Sequence, residues 1–460
     1  MEIKRSPDVV RPVEVAKKAP RWPWVVGISL GAVVLLGVGV VAYVMFSQRM
    51  QPTAPQASNA GANNATNQTS PSSKGHTVNP TPTTENLTKL VFARYDDPLG
   101  DSGDLRFTGP LTLVTSDLAS ANPREQTLAT LDRREPSTAI TGVVSPNGQF
   151  AAVVEQPGSS PKKGDEGKAH VWLVDLTDGG TLEQIADNPQ LVGQLVWSPD
   201  SKTLIWGEFE TNGDTTSKKA DVATTLVAYD VPTGESQRFD RPGESVDRNG
   251  LLVVAVRDGE LFVVRQKVGT DDVGTLGVLK LGKSGALDGD FEKLLDLPPG
   301  LRGMDVAPDG TMVVLARGTG SRIDSAATGP FMLELFDRET NDTTQLRSSP
   351  TERYTSPTFT PNGKNVLYAA ASGLWSITIK DSGDRNQLID VDQLDSLVPS
   401  ADLTPLLVQP DLSNVVFSLV SDTASKVFSL PFDSTEANAN DTTELSSKDL
   451  LGQSVLGWTE

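Results

Sequence analysis

Apolar residues in this chain come in short runs, and one way of joining them recurs. A run stops at a turn of the form Xaa-Pro-Asp/Asn, followed by glycine in three of the copies, and a second run follows at once. The copies fall at residues 143–154 (VVSPNGQFAAVV), 195–206 (LVWSPDSKTLIW), 305–316 (DVAPDGTMVVLA), 358–369 (TFTPNGKNVLYA) and 407–418 (LVQPDLSNVVFS). Proline at the second turn position pre-sets φ, and glycine two places later accepts φ > 0, so each copy predicts a β-hairpin. Ser201 and Leu412 stand where glycine is expected, which predicts two strained turns. Residues 245–256 (SVDRNGLLVVAV) read as a degenerate copy in which Arg248 replaces the proline.

Copies at a mean spacing of about 53 residues are the mark of a repeat architecture. After each hairpin comes a third candidate strand: AHVWLVDL, TTLVAYDV, GELFVVRQ, PFMLELFD, GLWSITIK and SKVFSLPF. A shorter fourth follows at LEQI, SQRF, FEKLL, TQLR and NQLI. Four antiparallel strands per repeat are the content of a propeller blade, which can bury both faces only against neighbours. Ahead of the first copy, LTKLVFARY, PLTLVTSD and QTLATL match the last three strands of a blade without its first. The missing strand is supplied from the other end, where GQSVLGWTE (452–460) echoes GQLVWSPD (193–200). The expected fold is therefore all-β: a seven-bladed propeller over residues 87–460, closed by pairing its two ends, which leaves no open sheet edge.

A different pattern precedes it. Residues 22–46 (WPWVVGISLGAVVLLGVGVVAYVMF) carry no charge and are long enough as a helix to cross roughly 30 Å of hydrocarbon. Trp22, Trp24 and Tyr43 suit the interfacial belts, and the basic tail 1–21 favours a cytoplasmic N-terminus with the rest extracytoplasmic. A cleaved signal peptide fits less well, because the apolar run is long and no A-x-A site follows closely. Residues 47–86 are rich in Ser, Thr, Asn and Pro with few large apolar side chains, and are expected to be a disordered tether. The sequons at Asn64, Asn67, Asn86, Asn341 and Asn440 matter only in a glycosylating host.

Composition narrows the chemistry. There is no cysteine, which excludes disulfides, thiol nucleophiles and zinc-cysteine sites, and only two histidines, His76 and His170. A net charge of −19 argues against nucleic acid as a partner.

The phrases WSPDSKTLIW, APDGTMVVLA and TPNGKNVLYA, with polar turns such as DVPTGESQRF, resemble TolB-like propeller repeats, a group similar to WD-repeats. The resemblance covers about residues 87–460 and implies the fold without implying an activity. Similar propellers precede the hydrolase domain of prolyl oligopeptidase relatives, but no G-x-S-x-G follows the apolar segment.

Candidate chemistry is sparse. SPDSKTLIW comes close to the S-x-D-x-G-x-x-W box of sialidase-type propellers, with Ser201 and Lys202 out of pattern, and reads better as a hairpin turn whose Asp caps backbone amides. His170 at a strand start reads as a satisfied side chain. Trp172, Trp197, Trp206, Trp375 and Trp458 read as blade-to-blade packing. The acidic loop at 96–104 gathers four aspartates that could hold Ca²⁺, but its spacing matches no calcium-loop pattern. Insertions containing GSSPKKGDEGKAH and ETNGDTTSKKAD are the best sequence candidates for a contact rim. No residue is assigned to catalysis, a cofactor or a metal. The expectation is a non-enzymatic, membrane-anchored propeller of the cell envelope that acts as a scaffold or binds a protein or envelope partner; the alternative is a small-ligand sensor, or a hydrolase- or lyase-type enzyme, using the central funnel.

Overall fold

A computed structural model describes residues 75–79, 87–95, 110–117, 125–131, 137–157, 169–187, 191–212, 221–239, 249–267, 274–282, 287–298, 300–319, 329–421, 425–432, 441–445 and 453–459. Its strands form seven antiparallel sheets, the blades of a propeller. From inner to outer strand, blade 1 is Gln453–Thr459, Lys89–Tyr95, Leu111–Asp117 and Glu125–Leu131. Blade 2 is Ser137–Val144, Phe150–Pro157, His170–Asp175 and Thr181–Asp187. In blade 3 the inner strand is split into Leu191–Val192 and Val196–Trp197, followed by Thr203–Asn212, Asp221–Asp230 and Glu235–Phe239. Blade 5 is Leu301–Val306, Met312–Arg317, Phe331–Asp337 and Asp342–Ser349; blade 6 is Tyr354–Phe359, Asn365–Ala370, Gly373–Thr378 and Arg385–Asp390. Blade 7 is Asp402–Val408, Asn414–Val420, Ser425–Pro431 and Thr443–Glu444.

The two ends of the folded chain meet as expected. Gln453–Thr459 pairs antiparallel with Lys89–Tyr95, from Lys89 opposite Thr459 to Arg94 opposite Gln453. Gly457, at φ 149°, sits where a Cβ would stand 2.8 Å from the Cβ of Val144 in blade 2. Only glycine lets the closing strand approach this closely.

Blade 4 departs from the expected alignment. Its inner strand is Asn249–Arg257, its second Glu260–Lys267, its third Thr275–Leu281 and its outer Leu287–Asp296. Arg248-Asn249-Gly250 is therefore not the hairpin turn. That turn is Asp258-Gly259, with φ 46° and 74°. It is a two-residue connection whose positive dihedrals suit strand twist. GELFVVRQ is consequently a second strand, not a third. The apolar run GLLVVAV hides the shift, because an inner strand covered on both sides shows no alternation.

The core lies between blades. Among the described residues, seven apolar clusters correspond to the seven blade junctions, the last of them joining blade 7 to blade 1 through Leu90, Phe92, Val416, Val427 and Trp458. A second strand can serve two of them. In blade 2, Phe150, Ala152 and Val154 pack toward blade 3 while Ala151 and Val153 pack toward blade 1, which is why that strand reads as an unbroken apolar run. The tryptophans do pack at these junctions, but at three distinct positions: Trp172 and Trp375 in third strands, Trp197 and Trp458 in inner strands, and Trp206 in a second strand.

The hairpin turns are built as the sequence implies. Ser145 Oγ donates to Asn147 Oδ1 at 2.6 Å and accepts from Phe150 N at 2.9 Å, and Ser198 and Thr360 repeat the arrangement. Ser201 and Leu412 adopt φ 61° and 66°. These are the left-handed conformations expected of them. An element the repeat did not announce, the helix Val391–Leu397, links blades 6 and 7 behind a capping box of Asp390 and Gln393.

Residues 75–79, within the stretch expected to be a tether, are held on the propeller. His76 N donates to Val231 O at 2.9 Å, and its Nε2 lies 2.7 Å from Glu183 Oε2. The Gln149 amide accepts from Asn79 N at 2.8 Å and donates to Thr77 O at 2.9 Å, while Val78 packs on the cluster between blades 2 and 3. Polar residues stay ordered here because neighbouring blades supply partners for their backbone groups. The expected tail 1–21, membrane helix 22–46 and the rest of the tether lie outside the described residues, among which no helix is long and apolar enough to cross a membrane.

Candidate functional site

The residues singled out from sequence do not converge. His170 Nδ1 accepts from Gln184 Nε2 at 3.0 Å and its ring lies 6.4 Å from Trp172, a satisfied side chain at a strand start. Asp200 accepts from Ser198 Oγ at 2.7 Å and from Lys202 N at 3.2 Å, so the box-like SPDSKTLIW is a capped hairpin. The acidic loop 96–104 and most of both long insertions lie outside the described residues. Among the described residues no group of three His, Cys, Asp or Glu side chains is placed to hold a metal.

Charge is distributed by a rule that the sequence does not advertise. The sixth residue of the second strand is charged in blades 1 to 5: Arg94, Glu155, Glu208, Arg265 and Arg317. Each is anchored within its own blade. Arg94 pairs with Glu125, and Glu208 with Arg238 and with the Trp206 indole at 3.1 Å. Glu155 accepts from the Trp172 indole at 3.0 Å, Arg265 lies 4.3 Å above the Phe291 ring, and Arg317 forms a two-pronged pair with Glu334 at 2.6 and 2.8 Å. Burying such groups is tolerable only with partners, so these pairs are structural.

Arg302, Arg347 and Arg385, at the junction of blades 5 and 6, have no carboxylate partner among the described residues. Arg302 enters from the inner strand of blade 5 and Arg347 from its outer strand; Arg385 opens the outer strand of blade 6, and Arg353 immediately precedes that blade's inner strand. Loss of water holds the Arg302 guanidinium below its ordinary pKa, and the like charge of Arg353 acts in the same direction. The Nε atoms of Arg302 and Arg347 are buried without a hydrogen-bond partner.

Two tyrosines belong to the apolar cluster at the same junction. Tyr354 and Tyr368 meet edge to face with ring centres 5.6 Å apart, both fully buried. Arg347 and Arg385 both act electrostatically on the two phenols. Burial raises both phenols, Tyr368 to about 12, against the opposing pull of Arg347 and Arg385. Both therefore keep their protons at neutral pH and are donors, not bases. Phe331 lies under Arg353 at 5.8 Å, and Trp375 lies under Arg385 at 4.5 Å. Aromatic faces attract cations at such distances. Glu352, the acidic neighbour whose charge reaches Tyr354, is held by the Ser372 hydroxyl.

Asp305, on the same inner strand as Arg302, accepts from Phe359 N in blade 6 and from its neighbour Val306 N, each at 2.8 Å. Enclosure pushes its carboxyl above the usual range, ahead of those two bonds and the charge of Arg257, which pull it down. It ties blade 5 to blade 6 at the junction that holds the arginines.

No protein-family model matches the chain, and no curated protein matches it in sequence. Solved structures do share its fold. A prolyl endopeptidase is 13% identical with a TM-score of 0.48, covering 81% of this chain and 51% of that one, so this chain spans about half its length. TolB from Acinetobacter baumannii is 14% identical with a TM-score of 0.40, covering 79% of this chain and 64% of that one. A periplasmic gluconolactonase from Pseudomonas aeruginosa is 15% identical with a TM-score of 0.48, covering 81% of this chain and 99% of that one. The seven-bladed propeller expected from the repeat phrases is the fold observed, solved TolB proteins are among the structures it is similar to, and these likenesses speak to fold alone.

The expectation of a non-enzymatic, protein-binding module is corrected here. It rested on fold plus the lack of a familiar motif, and propellers like this one include an endopeptidase and a lactonase as well as TolB. The fold therefore does not speak against catalysis, and the lack of a motif carried more weight than it can bear.

Proposed function

We propose that this chain is a membrane-tethered propeller that handles a small anionic ligand, as a hydrolase- or lyase-type enzyme or as a sensor, at the junction of blades 5 and 6. The observation that carries the reading is the set of arginines without carboxylate partners in a chain of net charge −19. In an acidic protein such a set is the place where negative ligands concentrate. Guanidinium groups present planar donor pairs that match carboxylate and phosphate oxygens. The test is a melting-temperature screen of the full chain with small carboxylates, acidic sugars and phosphates against neutral analogues, followed by product detection on each hit. Anions are expected to raise the melting temperature where neutral analogues do not, and turnover then separates enzyme from sensor. A folded protein indifferent to every anion contradicts the reading.

The tether belongs to the same proposal. Residues 22–46 hold the propeller at a membrane, with 1–21 on the cytoplasmic side and residues 47–74 as spacer, a reading supported by the length and the uncharged character of the apolar run. The full chain is expected in the carbonate-resistant membrane fraction, and a chain beginning at residue 47 in the soluble one. Recovery of both in the soluble fraction contradicts it.

A further inference from the structure

The chain is held on the propeller at two points ahead of its first strand, and both lie at the same end of the blades. That end is the one with the hairpin turns, where second strands begin and third strands finish: Phe150 faces Asp175 in blade 2, and Thr203 faces Asp230 in blade 3. Residues 75–79 form a strap across it. Val231, just past the third strand of blade 3, accepts from His76 N at 2.9 Å, and Glu183, near the start of the outer strand of blade 2, meets the His76 ring at 2.7 Å. The hairpin turn of blade 2 supplies the rest: Gln149 bonds Thr77 O and Asn79 N, and Asn147 Nδ2 donates to Asn79 O at 3.0 Å. Both of these side chains are buried, which their amides tolerate because the backbone of the strap pairs with them. Leu87 is the second point. Its carbonyl accepts from Gln409 Nε2, in the hairpin turn of blade 7, at 3.3 Å, and its side chain fills the space where a Cβ on Gly148 of blade 2 would stand. Connections between second and third strands, such as Ala371-Ser372 in blade 6, stand at the opposite end.

We infer, resting on the reading of residues 22–46 as a membrane anchor, that the strap turns the hairpin end of the propeller toward the bilayer, with blades 2 and 3 nearest, and presents the opposite end outward. With 47–74 as spacer, the docked strap stays within about 30 Å of the point where the chain leaves the lipid. A six-residue strand such as Asn365–Ala370 is about 20 Å long, so the end that the strap holds is the end that the lipid meets. The strap also chooses the side. Leu87 alone lets the chain leave at the junction of blades 7 and 1, midway around the ring between blades 2 and 6, whereas docking moves the exit to blades 2 and 3. The end presented outward is the one at which the second strands of blades 2 and 3 finish, at Pro157 and Asn212. A ligand or partner arriving from outside the membrane meets that end first.

Energy transfer to labelled lipid tests this on the full chain, which has no cysteine of its own. Lys364→Cys and Ala371→Cys place an exposed fluorescent donor at the two ends of one strand in blade 6, and Asp178→Cys places one at the hairpin end of blade 2. Each protein is reconstituted into phosphatidylcholine vesicles containing rhodamine lipid and labelled from outside with a membrane-impermeant maleimide. At about 3.3 Å per residue the two blade 6 labels stand roughly 23 Å apart, and transfer is expected to be about twofold stronger from Lys364→Cys than from Ala371→Cys. Transfer from Asp178→Cys is expected to exceed that from Lys364→Cys. A strap variant, Gly75→Val with Val78→Asp, is expected to abolish this second difference alone. A Cβ at Gly75 would stand 2.1 Å from Pro232 O, and the aspartate would put a charge on the apolar cluster between blades 2 and 3. Equal transfer from the two blade 6 labels, in protein that resists carbonate extraction, overturns the orientation and leaves the anchor standing. A difference between Asp178→Cys and Lys364→Cys that is absent, or that survives the strap variant, overturns the part given to the strap. Protein released by carbonate overturns the anchor, and the orientation with it.

Discussion

A chain ending at residue 452 is expected to lose most of its cooperative stability. The missing strand, Gln453–Thr459, is the inner strand of blade 1, and the backbone groups of Lys89–Tyr95 that pair with it would become a bare edge. Leu456 and Trp458 go with it, both buried, one at the junction with blade 2 and the other at the junction with blade 7. Deleting a buried leucine or tryptophan side chain costs about 2–5 kcal/mol each. The bond from Thr459 Oγ1 to Gly148 O, 2.7 Å long, is also lost. The sum is at least about 5 kcal/mol, comparable with the whole stability of many domains. A drop of about 10 °C or more in melting temperature is expected, with aggregation through the exposed edge. Calorimetry on the truncated and intact chains decides it, and coincident transitions would mean that the terminal strand is ornamental.

That closing strand is legible in the sequence for a physical reason. A ring has no natural first strand, so a blade missing one at the start of the repeats must be completed from elsewhere, and GQSVLGWTE has the apolar pattern of an inner strand. The prolines of the hairpins are equally legible, since Pro146, Pro199, Pro308, Pro361 and Pro410 occupy one turn position. Blade 4 was misplaced because two Xaa-Gly pairs, Asn249-Gly250 and Asp258-Gly259, flank the same apolar run, and only the second has both residues at positive φ. Periodicity offers no arbitration there, as both the inner and the second strand are covered on two sides.

The arginine junction was not legible. Arg302, Arg347, Arg353 and Arg385 are scattered over three strands and a connection, and nothing in their spacing brings them together. One signal was available. Between Lys293 and Lys364 the chain uses six arginines and no lysine, a preference that suits planar, multi-pronged contacts over a point charge. Several of those arginines serve structure, Arg317 with Glu334 and Arg338 with Glu260 at 2.9 Å, so the bias marks a region and not a site. Residues 75–79 were hidden for the opposite reason: Gly-His-Thr-Val-Asn has the composition of a linker, and its order comes from the Gln149 and Asn147 side chains of blade 2.

Ring closure can be locked as well as broken, and the chain lends itself to this because it contains no cysteine. Lys89 and Thr459 face each other across the closing ladder. Opposed residues in an antiparallel pair have Cα separations that a disulfide can span. In a Lys89→Cys, Thr459→Cys variant the bond would close a loop of roughly 370 residues, and on the entropic account it would restrict the unfolded chain by about 6 kcal/mol. Its reduced form is the control, since it carries the same loss of the Thr459 hydroxyl. The deciding measurement is the fraction of intramolecular disulfide formed in dilute oxidised protein, with the melting temperature before and after reduction. A ring zipped by its own terminal strand predicts near-complete intramolecular bonding and a higher melting temperature when oxidised; thiols that stay free, or that bond only between molecules, would contradict it.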